Sequence, residues 1–354
     1  MRSDPKKDDP RALPPRKRTS LKDLAAYLGV SQTTISFVLN DAPLAKHLTE
    51  ETRRRVLDAA RKFNYRPSYF AVNLHKTSSD SVGVLVPEHS EGYNTVVMEG
   101  IESFLLKQHF LYFTACYYHK PQLLREYSDL LLKRGAEGLL VLNSNADFDT
   151  PLPVVTISGH LEKTGVTNVV LDHRAAARLA IRHLYDLGHR KIAFMKGPHS
   201  IGDSAFRWEA MMQVAREFGV QPSPERIVPL TERGRTPRIG YEPTQRLLDA
   251  TRDFTALVAF NDIAAIGAIR VLHERGIAVP GDLSVIGFDD IISAPFQVPS
   301  LTTIRQPLQH MGKLAASILL ERITNPSADY APSVLVKPVL IVRESTAQAG
   351  SSLP

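Results

Sequence analysis

Cysteine is almost missing from this 354-residue chain: Cys116 stands alone. One thiol excludes an intrachain disulfide and any multi-cysteine metal site. Long apolar runs are missing too, and none approaches the ~18 residues that a membrane-crossing helix needs. The first eighteen residues hold Pro5, Pro10, Pro14 and Pro15 among alternating charges and contain no apolar stretch. No secretory leader is therefore expected, and the cytoplasm is the expected compartment. The common catalytic signatures are also absent: no Gly-x-Gly-x-x-Gly behind a strand, no phosphate-binding loop, no Gly-x-Ser-x-Gly and no His-Glu-x-x-His. The twelve histidines show no metal-ligand spacing. Asp289-Asp290 is the one candidate acid/base pair, but neighbours at a strand end point in different directions. An enzyme, a metal site and a cofactor are not expected.

What is present is an uneven charge. Residues 1–76 hold 16 Lys/Arg against 8 Asp/Glu, whereas residues 77–354 hold 27 against 29. All the excess positive charge sits on the first fifth of the chain, as in a polyanion-binding module joined to a near-neutral domain. A disordered basic arm explains residues 1–18, with Arg16-Lys17-Arg18, but not the patterned segment behind it.

From Thr19 the pattern is helical. Thr19 or Ser20 can cap a helix with Leu21, Leu24, Ala25 and Leu28 inward. Gly29 suits the positive φ of a tight turn. Ser31 can cap a second helix through Asn40, with Ile35, Val38 and Leu39 inward, and Thr49 a third, with Val56, Ala59, Ala60 and Phe63 inward. This spacing fits a helix-turn-helix, although a plain three-helix bundle shares it. If the second helix enters a major groove, Gln32 and Thr33 face base edges, and Ser31, Thr34 and Ser36 face phosphates.

Tyr65-Arg66-Pro67 closes the bundle, residues 68–76 form a short helix candidate and residues 77–81 a polar linker. Beyond Ser81, short β-rich runs alternate with amphipathic helices. A helix closed by glycine and followed by a buried strand recurs at Gly135, Gly188 and Gly276. Such alternation implies parallel sheet. About eleven strands is many for one sheet, so two doubly wound lobes with a cleft are expected. The helix near Thr95–Gln108, with Val97, Ile101 and Leu105, is expected at a dimer interface, although its amphipathic face alone would equally fit a buried core.

These motifs are collinear with a known family. Leu24-Ala25, Gly29-Val30-Ser31, Thr34-Ile35-Ser36, Val38-Leu39-Asn40, Thr52-Arg53, Val56 and Asn64-Tyr65-Pro67 resemble the head of the lac-repressor (LacI/GalR) family. Gly188-His189-Arg190-Lys191-Ile192, Arg207, Phe260-Asn261-Asp262, Val285–Asp290 and Arg343–Thr346 resemble its periplasmic-binding-protein-like sensor. The resemblance implies a disordered arm at 1–18, a DNA-binding domain at 19–67, a hinge helix and linker at 68–80, a two-lobed effector-binding and dimerisation domain at 81–346 and a disordered tail at 347–354. It implies a homodimeric, effector-controlled DNA-binding regulator, by family default a repressor, with an operator duplex and a small molecule as partners. Ser31, Gln32, Thr33, Thr34, Ser36, Phe37 and Tyr65 are the implied head contacts. Leu74 is the implied minor-groove wedge, with Ala71 against the dimer mate. Phe37 and Val72 depart from the long basic or polar residues frequent at their positions; Phe37 can touch a thymine methyl but cannot bond guanine.

Asp172, Arg207, Asn261 and Asp289 are the implied effector contacts. Arg207 can clamp a hydroxyl pair or a carboxylate with its planar fork. Asp172 could equally be a helix cap, and Asp262 is expected to cap the helix behind the Ala256–Phe260 strand. Phe296 and Trp208 are candidate pocket walls or plain core. A sugar suits these Asp and Asn groups; a purine or another small metabolite is the alternative. A transporter's solute-binding protein would share the sensor fold but lack the basic head.

Overall fold

The computed structural model describes residues 19–40, 42–65, 78–88, 92–198, 201–230 and 236–350. The chain divides into two compact units, Met1–Ser79 and Asp80–Pro354. The arm at 1–18 and the hinge at 68–76, with Ala71, Val72 and Leu74, lie outside the described residues.

The first unit holds α1 (Leu21–Leu28), α2 (Gln32–Leu39) and α3 (Glu50–Lys62). Each helix starts on a hydroxyl cap. Ser20 accepts from the Asp23 amide while Asp23 accepts from the Ser20 amide, a reciprocal capping box. Ser31 accepts from the Thr34 amide at 3.0 Å, and Thr49 from the Thr52 amide at 3.3 Å. Gly29 takes φ +70° at the end of α1, where its N–H bonds Ala25 O at 3.0 Å; a side chain there would be strained. Leu24, Leu28, Ile35, Val38, Val56 and Ala59 form one core. The Arg55 guanidinium donates to Leu28 O at 3.1 Å, tying α3 to the exposed carbonyls of α1.

The second unit carries two six-stranded sheets. Its first lobe is built from β1 (Ser81–Val86), β2 (Leu111–Cys116), β3 (Leu139–Leu142), β4 (Val154–Ile157), β5 (Val166–Leu171) and β11 (Ser333–Val336). Their order is β11-β5-β4-β3-β1-β2, parallel throughout. The second lobe is built from β6 (Ile192–Lys196), β7 (Ile227–Pro229), β8 (Ala256–Val258), β9 (Ser284–Asp289), β10 (Thr302–Arg305) and β12 (Val339–Ile341), in the order β12-β10-β9-β8-β6-β7. The all-parallel expectation fails at one edge, where β12 runs antiparallel to β10. Only Lys337 and Pro338 separate β12 from β11 of the first lobe, so this edge strand is entered directly from the other lobe.

The helices are α4 (Tyr93–Lys107), α5 (Pro121–Lys133), α6 (His173–Asp186), α7 (Gly202–Glu217), α8 (Arg238–Ala250), α9 (Asp262–Glu274) and α10 (Leu308–Thr324). The chain passes between the lobes three times: after β5, after β10 and from β11 to β12. Gly135, Gly188 and Gly276 adopt φ of +87°, +87° and +70°, as the helix-closing pattern requires. Every residue of β1, β5 and β9 is buried, as expected for parallel strands covered on both faces.

Two sequence expectations need correction. Val97, Ile101 and Leu105 of α4 face the lobe's own core beside Met311 and Ala315 of α10. Glycine permits this close approach, because a Cβ at Gly100 would overlap Gln309 O and one at Gly312 would overlap Val97 O. The expected tail at 347–354 is anchored at its start. Ala347 donates to Ser284 Oγ at 3.0 Å, Ala347 O meets His189 Nε2 at 3.0 Å, and Ala349 donates to Leu187 O at 2.8 Å. Buried His189 needs such partners for its ring nitrogens, since burying them unpaired is costly.

Candidate effector site and nucleic-acid interface

In the head, Gln32 and Thr33 are exposed on the first turn of α2. Ser31 and Thr34 are joined by a 2.9 Å hydroxyl contact, and Ser36 accepts from the Asn40 amide group at 3.2 Å. These hydroxyls are held in place by local bonds, and Ser31, Gln32 and Thr33 form the exposed start of the helix. Phe37 is half-buried on the same helix, and Tyr65 packs against the head core. Burial raises the Tyr65 phenol pKa.

In the sensor, the carboxyl ends of the strands carry the candidate ligand groups. Asp289 ends β9 in a positive-φ conformation, +116°, and is buried. The Gln306 amide donates to its Oδ1 at 2.6 Å. Burial pushes the Asp289 pKa up to about 6, against the pull of Arg207 and of the Gln306 bond. Asp290 turns the other way, into Arg305 at 2.6 Å and Arg343 at 2.7 Å. The two carboxylates therefore serve different partners and form no acid/base dyad.

Arg207, on α7, is buried. It donates to Phe260 O at 2.8 Å and lies over the rings of Phe288, 4.0 Å to centroid, and Phe260, 4.8 Å. Its Nε has no hydrogen-bond partner among the described residues. Beside it opens a cavity lined by Met195, Ser204, Trp208, Met211, Phe260 and Phe288. Trp208 is thus a wall residue. Phe296 is not: it sits on a surface turn, 77% exposed.

Asp172 and Asn261 are both helix caps. Asp172 accepts from the Ala175 amide and Asn261 from the Ala264 amide, each at 2.9 Å. The cap expected of Asp262 therefore falls to its neighbour. Asp262 lies inside the second lobe, accepting from Thr303 Oγ1 at 2.6 Å and from the Ile291 amide at 2.9 Å. Burial, reinforced by the charge of Asp289, pushes its pKa up to about 8.

The sequence reading missed a second set of cleft residues. Tyr93 opens α4 in the first lobe and shares a 2.5 Å hydroxyl contact with Ser158. Burial, and then the charge of Asp203, raises its pKa. His160, past the end of β4, bonds Asp203 of α7 at 2.6 Å, so this contact joins the two lobes. His173, the first residue of α6, brings Nε2 within 3.2 Å of the same carboxylate oxygen. Burial alone would raise the Asp203 pKa, but His173, His160 and Arg207 together hold it well below the usual carboxylate range. One local signal existed: Asp203 and Arg207 are four apart and share a helix face. The histidines come from separate segments, which no short-range spacing reveals.

Comparison with known proteins agrees with the fold. Residues 20–68 match the bacterial regulatory proteins of the lacI family, and residues 181–346 match a periplasmic binding protein-like domain. The HTH-type transcriptional repressor PurR of Haemophilus influenzae is 32% identical over 337 residues, covering 92% of this chain and 98% of its own. PurR of Mannheimia succiniciproducens is likewise 32% identical over 336 residues, with the same coverage. Among solved structures, the lac repressor dimer bound to operator and the anti-inducer ONPF superposes with a TM-score of 0.80 at 25% identity, covering 94% of this chain and all of that one. The CelR–cellobiose complex superposes at 0.67, also at 25% identity, covering 93% of this chain and all of that one. The helix-turn-helix head, the two-lobed sensor and relatives spanning nearly the full length lead to one conclusion: this chain belongs to the LacI family of DNA-binding transcriptional regulators.

Proposed function

We propose that this regulator is a repressor whose operator affinity is set by a hydroxyl-rich small molecule, a sugar, bound between the lobes of residues 81–346. The observation that carries the reading is Arg207. A buried guanidinium with an unpartnered Nε, beside the buried carboxylate of Asp289, is costly without a ligand to complete its bonds. Asp172 and Asn261 each use one side-chain oxygen as a cap, so each has a further polar atom to offer a hydroxyl. The cellobiose complex of CelR and the ribose-bound regulator of Enterococcus faecium support a sugar.

In this reading a homodimer grips a near-palindromic operator in the cytoplasm, as the lac repressor dimer grips its operator. Gln32 and Thr33 read base edges, Ser31, Thr34 and Ser36 contact phosphates, and Phe37 touches a thymine methyl. Residues 68–76 pair across the dimer, with Leu74 wedging the minor groove beside Ala71. The effector acts only through its differential affinity for two lobe arrangements. A thermal-shift screen of sugars and nucleobases tests the ligand class. A sugar that stabilises the wild type but not Arg207→Lys supports it, and stabilisation by nucleobases alone overturns it.

A further inference from the structure

His160, His173 and Asp203 converge from three separate segments: the loop after β4, the first residue of α6 and the first turn of α7. One candidate ligand atom from each lies within 4.8 Å of the others. His173 and Asp203 are buried, and the His160 side chain is only 10% exposed. His173 Nε2 reaches only Asp203 Oδ1, at 3.2 Å, and among the described residues neither His173 Nδ1 nor Asp203 Oδ2 has a hydrogen-bond partner. Two imidazoles converge on one buried carboxylate oxygen, and the further buried polar atoms of the cluster stay unsatisfied, which calls for an explanation beyond a finished hydrogen-bond network.

We propose that these three residues bind a divalent transition-metal ion, with Zn²⁺ the best fit, across the interlobe cleft. Two imidazoles and one carboxylate are borderline donors suited to Zn²⁺ and not to Mg²⁺ or Ca²⁺, which take all-oxygen sets. Donors about 2.0–2.1 Å from a tetrahedral zinc lie roughly 3.3 Å apart. The His173–Asp203 spacing of 3.2 Å already matches. The His160–Asp203 pair, at 2.6 Å, must open slightly as its shared proton leaves. Three protein ligands leave a coordination position for water or for an effector oxygen. Arg207 lies 3.8 Å from the other carboxylate oxygen, Asp203 Oδ2, an ion pair that favours the charged carboxylate.

The regulatory consequence rests on the cleft being the effector site; the binding itself does not. Because His160 follows a strand of one lobe and Asp203 lies on a helix of the other, the ion stabilises their approach and works as effector or co-effector. A chelating sugar acid would use the same ion as its anchor.

Equilibrium dialysis of the full-length, metal-stripped chain against Zn²⁺ tests the site, with Co²⁺ absorption as an independent readout. One ion per chain is expected, with a Co²⁺ ligand-field band of a nitrogen and oxygen set. His160→Gln and Asp203→Asn should weaken binding by more than the roughly 10–100-fold that outer-shell changes cost. His109→Gln, an exposed control, should leave it unchanged. No saturable binding, or binding undiminished in both variants, overturns the site. If Asp203→Asn does not fold, His160→Gln and the wild-type Co²⁺ titration decide: a band saturating at one ion and lost in His160→Gln supports the site, and any other result overturns it. Operator affinity is measured separately, so a failed metal test leaves the regulator reading standing.

Discussion

Gln306 holds Asp289 by a 2.6 Å amide-to-carboxylate bond, and both side chains are buried where β9 and β10 end. The bond orients the carboxylate and opposes the upward push of burial on its pKa. Replacing Gln306 with leucine removes the neutral donor that acts in that direction among the described residues. A ¹³C titration of the Asp289 carboxyl should show a midpoint of about 6 in the wild type and a higher one in Gln306→Leu. A wild-type midpoint in the ordinary carboxylate range, unmoved in Gln306→Leu, would contradict this balance of burial and bonding.

Arg207→Lys keeps a positive charge but loses the planar fork and the stacking on Phe288 and Phe260. Effector-induced release from operator should fall by at least about tenfold, the equivalent of one hydrogen bond to a charged group. Operator affinity without effector should stay within about twofold. Fluorescence anisotropy on a labelled operator reads both. Equal loss of affinity and response would make Arg207 a structural residue only.

Asp262 gives the stability a defined pH dependence. Its pKa is about 8 folded and near 3.9 unfolded. Below about pH 4 both states hold the proton. From there to about pH 8 the unfolded chain releases it while the folded chain keeps it. The contribution of Asp262 to stability is therefore present at low pH and lost as pH rises through that window, by up to about 1.4 kcal/mol per unit. Chemical denaturation at pH 5 and pH 8 should show this decline flattened in Asp262→Asn. Parallel profiles for the two proteins would refute the assignment.

The approach of α4 to α10 depends on missing side chains. Gly312→Ala places a methyl against Val97 O, and overpacking of this kind costs typically about 1–3 kcal/mol. The sensor's unfolding midpoint should drop accordingly. An unchanged midpoint would mean that the two helices separate without penalty.

Much of the fold was legible because its signals are local. Ser20, Ser31 and Thr49 each stand immediately before an apolar period, and Gly29, Gly135, Gly188 and Gly276 supply the positive φ that ends a helix. Arg207 and Asp289 were legible through family motifs, and their burial beside one another bears on the same use. Other features depend on contacts far apart in sequence. Asn261 rather than Asp262 caps α9 because Thr303, forty-one residues on, takes the Asp262 carboxylate inward. His160 meets Asp203 across forty-three residues. Phe296, by sequence a candidate pocket wall or core residue, is carried into solvent by a short surface turn. Side-chain direction at such turns is set by tertiary packing, which periodicity does not encode.

The most direct test is duplex selection by the full-length chain from a random pool, followed by anisotropy at fixed salt with wild type, Gln32→Ala and a chain lacking residues 1–76. A near-palindromic duplex should be enriched, and Gln32→Ala should lose about 1–3 kcal/mol of discrimination at its base pair while keeping salt-sensitive nonspecific binding. The truncated chain should not bind. Failure to enrich any duplex, or undiminished binding without residues 1–76, would contradict the assignment of DNA reading to the basic head.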